Sequence, residues 1–155
     1  MSEPASFRIR DAGPEDDALL LEVRRRASLS NEGDRELLLA HPEVFEAGEV
    51  PAHVGTRVAE ADRIVGYATA RGGGAVVEIT ALFVEPDWMG RGVGRALVAD
   101  LVSAATSRGA AAIEVTANEH ALAFYQRLGF RAAGVVDTPL GVPAPRLRRP
   151  LDALD

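Results

Sequence analysis

Three glycines alternate along Val84-Glu85-Pro86-Asp87-Trp88-Met89-Gly90-Arg91-Gly92-Val93-Gly94-Arg95-Ala96-Leu97, between a strand-like run and an amphipathic helical one. Glycine lets main-chain N–H groups approach a ligand with no Cβ in the way. At the start of a helix those N–H groups and the positive end of the helix dipole form an anion site. Arg91 and Arg95 add charge, so the chemistry expected here is the binding of a phosphorylated ligand. A Walker loop is excluded, because it needs a lysine and all 17 basic residues of the chain are arginine. A dinucleotide fingerprint needs a small residue at its last position. Counted from Gly90 that residue is Arg95, and counted from Gly92 it is Leu97, both bulky. A glycine-rich turn without a ligand stays open on this segment alone.

A second block lies downstream: Asn118-Glu119-His120-Ala121-Leu122-Ala123-Phe124-Tyr125-Gln126-Arg127-Leu128-Gly129-Phe130. The first segment resembles the pyrophosphate loop of the GNAT superfamily of N-acetyltransferases, (Gln or Arg)-x-x-Gly-x-(Gly or Ala), from Met89 to Gly94. Gly92 and Gly94 take the two small positions, and Met89 departs from the usual first residue. The second block is similar to the family's Asn-x-x-Ala-x-x-Phe-Tyr-x-x-x-Gly-Phe. With the strand before them the blocks span residues 76–130.

The resemblance implies that acetyl-CoA is the cosubstrate. It would bind main-chain groups of Leu82, Phe83 and Val84 through its pantetheine, and Met89, Gly90, Arg91, Gly92, Val93, Gly94 and Arg95 through its pyrophosphate. Asn118 would contact the pantetheine arm, and an ordinary helix N-cap is the equal alternative. Tyr125 would protonate the departing thiolate as general acid. On periodicity alone Tyr125 packs with Phe124 and Leu128.

An alkylammonium acceptor has a pKa near 10, so deprotonating it at neutral pH costs roughly 4 kcal/mol. A carboxylate could take that proton, and Glu78 is the leading candidate. Alternation along Val76–Val84 puts Val77, Ile79, Ala81 and Phe83 on one apolar face, and Glu78 and Thr80 on the other with Leu82 and Val84. The plain alternative is that Glu78 pairs with an arginine or reaches solvent at a strand end. Glu114, Thr116, His41 and His53 are weaker candidates. With no cysteine there is no acyl-cysteine route, and direct attack of the amine in a ternary complex is expected.

These residues need a frame. Phe7–Arg10, Val54–Glu60, Ile64–Arg71, Val76–Val84, Ile113–Ala117, Phe130–Val136 and Arg146–Leu151 read as strands. Pro14 to about Ala27, Asp34–Ala40, residues 93–108 and His120–Leu128 read as helices, with Pro42–Pro51 as loop. The expected fold is α/β (α+β). The resemblance makes it a mixed sheet, splayed between Val84 and Ile113–Ala117, with about four flanking helices in a single domain over 1–155. Acceptor selection falls to the first helix, residues 29–51 with Glu43, Glu46 and Glu49, and the loop 137–145.

Composition sets the remaining expectations. The 47% hydrophobic and 26% charged residues describe a folded globular chain, and no run is long and apolar enough for a membrane helix. Residues 1–10 do not read as a secretory signal, so a cytoplasmic location is expected. A net charge of −6 argues against nucleic acid as a partner. Three scattered histidines and no cysteine give no metal site. The sequence does not decide oligomeric state; the final strands and Leu37–Leu39 could serve a homodimer. The reading is an acetyl-CoA-dependent N-acetyltransferase acting on a primary amine of a small molecule or peptide. The alternative is a non-catalytic acyl-CoA-binding or sensing domain of the same fold.

Overall fold

The computed structural model describes residues 6–29, 53–72, 74–117, 121–137 and 143–151. The expected helix at 34–40 and loop at 42–51 lie outside the described residues, as do Asn118, His41, Leu37–Leu39 and the acidic trio Glu43, Glu46 and Glu49. The described residues form seven strands: β1 (Arg8–Asp11), β2 (Thr56–Glu60), β3 (Ile64–Arg71), β4 (Val76–Val84), β5 (Ala112–Thr116), β6 (Arg131–Val136) and β7 (Ala144–Pro150). Their order in the sheet is β1-β2-β3-β4-β5-β7-β6. The described helices are α1 (Asp17–Leu29), α2 (Val93–Ser107) and α3 (Leu122–Arg127). β4 and β5 pair in parallel, and such a pair needs a long crossover, which α2 supplies. The pairs β1–β2, β2–β3, β5–β7 and β6–β7 are antiparallel. The sheet is therefore mixed, as expected.

The chain divides into two compact units, Met1–Thr69 with Ala81–Val98, and Ala70–Thr80 with Ala99–Asp155. In the first, Leu20 and Val23 of α1 pack on Val58, Ile64 and Tyr67 of β2 and β3, beside Ala12, Ala81 and Phe83. Burying each of these aliphatic side chains contributes about 1.5–3 kcal/mol. Gly66 on β3 is set by crowding. A Cβ there would sit 2.8 Å from Val93 Cγ1 and 3.0 Å from the Phe83 carbonyl oxygen. Only glycine lets the first turn of α2, with Val93 and Leu97 fully buried, lie against that strand.

The second unit buries one face of β4, β5 and β7 through Val77, Ile79, Ile113, Val115 and Leu147. The register places Val77 beside Ile113, and Val115 between Ile79 and Leu147. The opposite face is charged, since Glu78 pairs with Glu114, Glu114 with Arg148, and Thr116 with Arg146. Alternation thus separates the faces as the sequence suggests.

Boundaries shift for local reasons. β2 starts at Thr56 because His53–Gly55 forms a turn, closed by the Thr56 N–H on the His53 carbonyl at 3.2 Å, with Gly55 at φ +69°. The Ala61–Arg63 hairpin turn is present, with the Ala61 N–H on the Arg63 carbonyl at 2.8 Å. α1 is preceded by a 3-10 turn at Pro14–Asp16.

Candidate active site

β4 ends at Val84, a 3-10 turn follows at Pro86–Trp88, and α2 begins at Val93. Trp88 is buried and its N–H bonds the Glu85 carbonyl at 2.9 Å, which anchors the turn. Gly90 and Gly92 then adopt φ of +78° and +85°. Nothing lies within 4 Å of a Cβ built at either. Backbone conformation, rather than crowding, calls for glycine there. The Ala96 N–H is bonded back to the Gly92 carbonyl at 3.0 Å. The N–H groups of Val93, Gly94 and Arg95 belong to the first turn, which has no intrahelical acceptors for them. The Arg91 guanidinium lies over the Trp88 ring at 4.9 Å, and Arg95 and Met89 are exposed. Leu82, Phe83 and Val84 are half-buried on the strand leading in.

Glu85, at the strand end, is 4% exposed. Arg26 of α1 holds it through Nε at 2.8 and 3.1 Å. Arg63 of the β2–β3 turn lies 3.8 Å from Glu85 and bonds Asp87 at 2.9 Å. Two residues of the loop's entrance are therefore tied to α1 and the hairpin. A buried carboxylate this close to the surface of the loop needs such pairing, because an unpaired one is costly.

Tyr125 stands on α3, 4% exposed, with edge-on contacts to Phe124 at 5.1 Å and Phe130 at 5.3 Å. Its carbonyl accepts from Leu128 and Phe130 N–H, and Gly129 at φ +90° turns the chain between them. Arg149 donates to the Leu128 carbonyl at 3.0 Å, a cation at the helix C-terminus. Burial pushes the phenol above its ordinary value of 10. No hydrogen bond to Oη is found among the described residues. Tyr125 thus packs in the core, as periodicity indicates.

Glu78 is held by arginine on both oxygens. Arg146 Nη1 bonds Oε2 at 2.5 Å, and Arg71 Nε bonds Oε1 at 3.0 Å. Burial pushes this carboxyl up, but the Arg146 and Arg71 hydrogen bonds outweigh it and hold the group below 4.5. Arg146 also reaches Glu114 Oε1 at 3.0 Å and Thr116 Oγ1 at 3.0 Å, and Arg148 reaches Glu114 Oε2 at 2.8 Å. The plain alternative, an arginine partner, is what the structure shows. His53 pairs with Asp17 at 2.8 Å on the first unit.

Sequence reasoning assigned no role to Arg26, Arg63, Arg71 or Arg146. A glutamate directly before Pro86 and another inside an apolar strand signal that cations exist somewhere. Their partners stand up to 68 residues away, so spacing cannot name them. Among the described residues no group of three or more His, Asp or Glu gathers to hold a metal, and no helix is long and apolar enough to cross a membrane.

Residues 48–144 match the family model described as an acetyltransferase (GNAT) domain. A glucosamine 6-phosphate N-acetyltransferase of Trypanosoma brucei brucei is 40% identical over 77 residues, 45% of this chain and 52% of that protein. A peptidyl-lysine N-acetyltransferase of Escherichia coli is 37% identical over 91 residues, 58% of each. The chain thus spans about half the length of these curated relatives. Among solved structures, a GCN5-related N-acetyltransferase from Rhodopseudomonas palustris superposes with a TM-score of 0.75 at 24% identity, over 97% of this chain and 99% of that one. YncA of Salmonella typhimurium, solved with its cofactor acetyl-CoA, gives 0.66 at 21% identity over 95% of each. At these identities the structural likenesses speak to the fold.

Proposed function

The chain belongs to the GNAT acetyltransferase family, and from that premise we propose that it transfers an acetyl group from acetyl-CoA to a primary amine by direct attack in a ternary complex. One observation carries the reading: at the end of β4, Gly90 and Gly92 take positive φ and hand the chain into α2, whose first N–H groups lack helical acceptors. That cradle fits a pyrophosphate, because the open glycines admit it and the helix dipole favours its charge. Arg91, steadied on Trp88, and the exposed Arg95 add cations. Main-chain groups of Leu82, Phe83 and Val84 are the proposed partners of the pantetheine, and Asn118 its side-chain contact. When bound, acetyl-CoA supplies the acetyl group as a thioester.

Tyr125 is the proposed general acid. Its raised pKa keeps the phenol protonated through the neutral range, so a proton is always present for the departing thiolate. Glu78 is the proposed receiver of the amine. Its two ion pairs keep it ionised, which suits attraction of an ammonium, but a carboxylate held so low is a weak base. Its part is then to orient the amine while water carries the proton.

Calorimetric titration with CoA, acetyl-CoA, NAD and ATP tests the proposal. Binding confined to the CoA compounds, and lost in Gly92→Val, supports it, because valine at that φ is strained and fills the cradle. Absence of CoA binding would sink it.

The same Glu78 ion pairs favour a second reading, a non-catalytic acyl-CoA-binding domain, since both carboxylate oxygens are already occupied. Turnover of any amine, reduced in Tyr125→Phe, decides against that reading.

A further inference from the structure

We propose that the acceptor is an amine that also bears a phosphate or carboxylate, and that Arg131 and Arg148 bind that anion. The proposal rests on the reading of Glu78 as the group that receives the amine.

Glu78 of β4 stands beside Glu114 of β5, Glu114 beside Arg148 of β7, and Arg148 beside Arg131 of β6. Directly paired residues share a face, so these four form one row across the charged face of the second unit. Arg146 and Thr116 form the next row, and Arg71 reaches the same face by its bond to Glu78. Four guanidiniums (Arg71, Arg131, Arg146, Arg148) thus face two carboxylates (Glu78, Glu114), an excess of two positive charges on a chain of net charge −6.

The pairing leaves the excess at one end. Arg146 is spent on Glu78, Glu114 and Thr116. Arg148 gives one nitrogen to Glu114 and is 46% exposed. Arg131, exposed and directly opposite Arg148, has no ion pair among the described residues. Like charges directly opposite on an antiparallel pair destabilise each other. An anion between two guanidinium forks relieves that repulsion, and the fork matches phosphate and carboxylate oxygens in pairs.

The same charge pattern works against a simple amine. An ammonium drawn to Glu78 meets Arg71 and Arg146 on either oxygen. An acceptor with its own anion gains at Arg148 and Arg131 what it loses beside those cations. Strands lie about 4.8 Å apart, so Arg148 is some 10 Å from Glu78 at the backbone, a span fit for a sugar or short amino-acid frame.

Equilibrium binding to the full chain tests this, with glucosamine 6-phosphate against glucosamine as the phosphate arm and glutamate against its dimethyl ester as the carboxylate arm. We expect the anionic member of at least one pair to bind roughly tenfold or more tightly, with the advantage lost in Arg131→Gln and Arg148→Gln and partly restored in Arg131→Lys. Which arm shows the preference tells phosphate from carboxylate. Equal binding within both pairs, no binding at all, or a preference that survives both glutamine variants overturns the proposal. So does loss of acetyl-CoA affinity in those variants, which would give the face to the cosubstrate. Acetyl-CoA titrated into the same preparation separates the two ideas. If it binds while the anionic amines show no advantage, only the substrate class falls; if it fails to bind while they do, the acetyl-transfer reading falls and the anion site stands.

Discussion

At the scale of single residues, environment moves two acidic groups further apart than their ordinary values of 10 and 4.5. Tyr125 is deprived of water and of any anion-stabilising partner among the described residues, so its phenol rises. Glu78 is crowded by guanidiniums, so its carboxyl falls. If Tyr125 is the acid, Tyr125→Phe lowers kcat by about a hundredfold with the KM for acetyl-CoA little changed, within the range for removal of a general acid. The pH dependence follows from the sign of each shift. A raised phenol loses its proton only above its ordinary value of 10, so wild-type kcat shows no falling alkaline limb below that pH. A lowered Glu78 is already ionised above its ordinary value of 4.5, so any rise in rate at neutral pH reports the acceptor amine. A steady-state pH profile of wild type and Tyr125→Phe reads both.

At the scale of elements, the glycine loop acts through what fixes it. Trp88 is buried under it, Glu85 is locked to Arg26 of α1, and Asp87 to Arg63 of the hairpin. Gly66 lets the first turn of α2 close against β3. These contacts set the direction in which the helix presents its first N–H groups. Glu85→Gln keeps the shape but leaves Arg26 and Arg63 without their buried carboxylate. We expect the KM for acetyl-CoA to rise roughly tenfold with kcat nearly unchanged, the cost of one charge-assisted hydrogen bond felt in positioning. Equal falls in kcat and kcat/KM would instead place Glu85 at the chemistry. This contribution was invisible to spacing, because Glu85 and Arg26 are 59 residues apart.

At the scale of the whole molecule, stability should follow acid titration of carboxylates paired with arginine. Arg10 grips Asp16 at 2.9 and 3.1 Å and Glu60 at 3.0 Å, joining β1, β2 and the turn before α1. The Arg10 hydrogen bonds hold both carboxyls below their ordinary values of 3.8 and 4.5. A lowered folded-state pKa contributes stability that is present above the unfolded value and lost as pH falls through the folded one. The thermal midpoint should therefore hold above about pH 4.5 and fall below it. Asp16→Asn should lower stability by about 1–3 kcal/mol at neutral pH, since the Gly13 N–H and Arg10 lose a charged acceptor, and should flatten the acid fall. Thermal melts of both proteins across that range are the check.

What the sequence determined by itself was whatever is written locally. Val76–Val84 alternates, Gly90, Gly92, Gly109 and Gly129 stand where the chain must turn with positive φ, and the two family blocks sit at a fixed separation. Such features depend on neighbours a few residues away, and strands, turns and the glycine cradle were legible from them. Tertiary structure decided which charges meet. Glu78 could be a free base or an ion pair in the sequence, and only β7, arriving between β5 and β6, brings Arg146 to it. Glu85 was one acidic residue among many until folding buried it beside Arg26. Long-range pairing is set by strand order and register, and neither is carried by residue types along the chain.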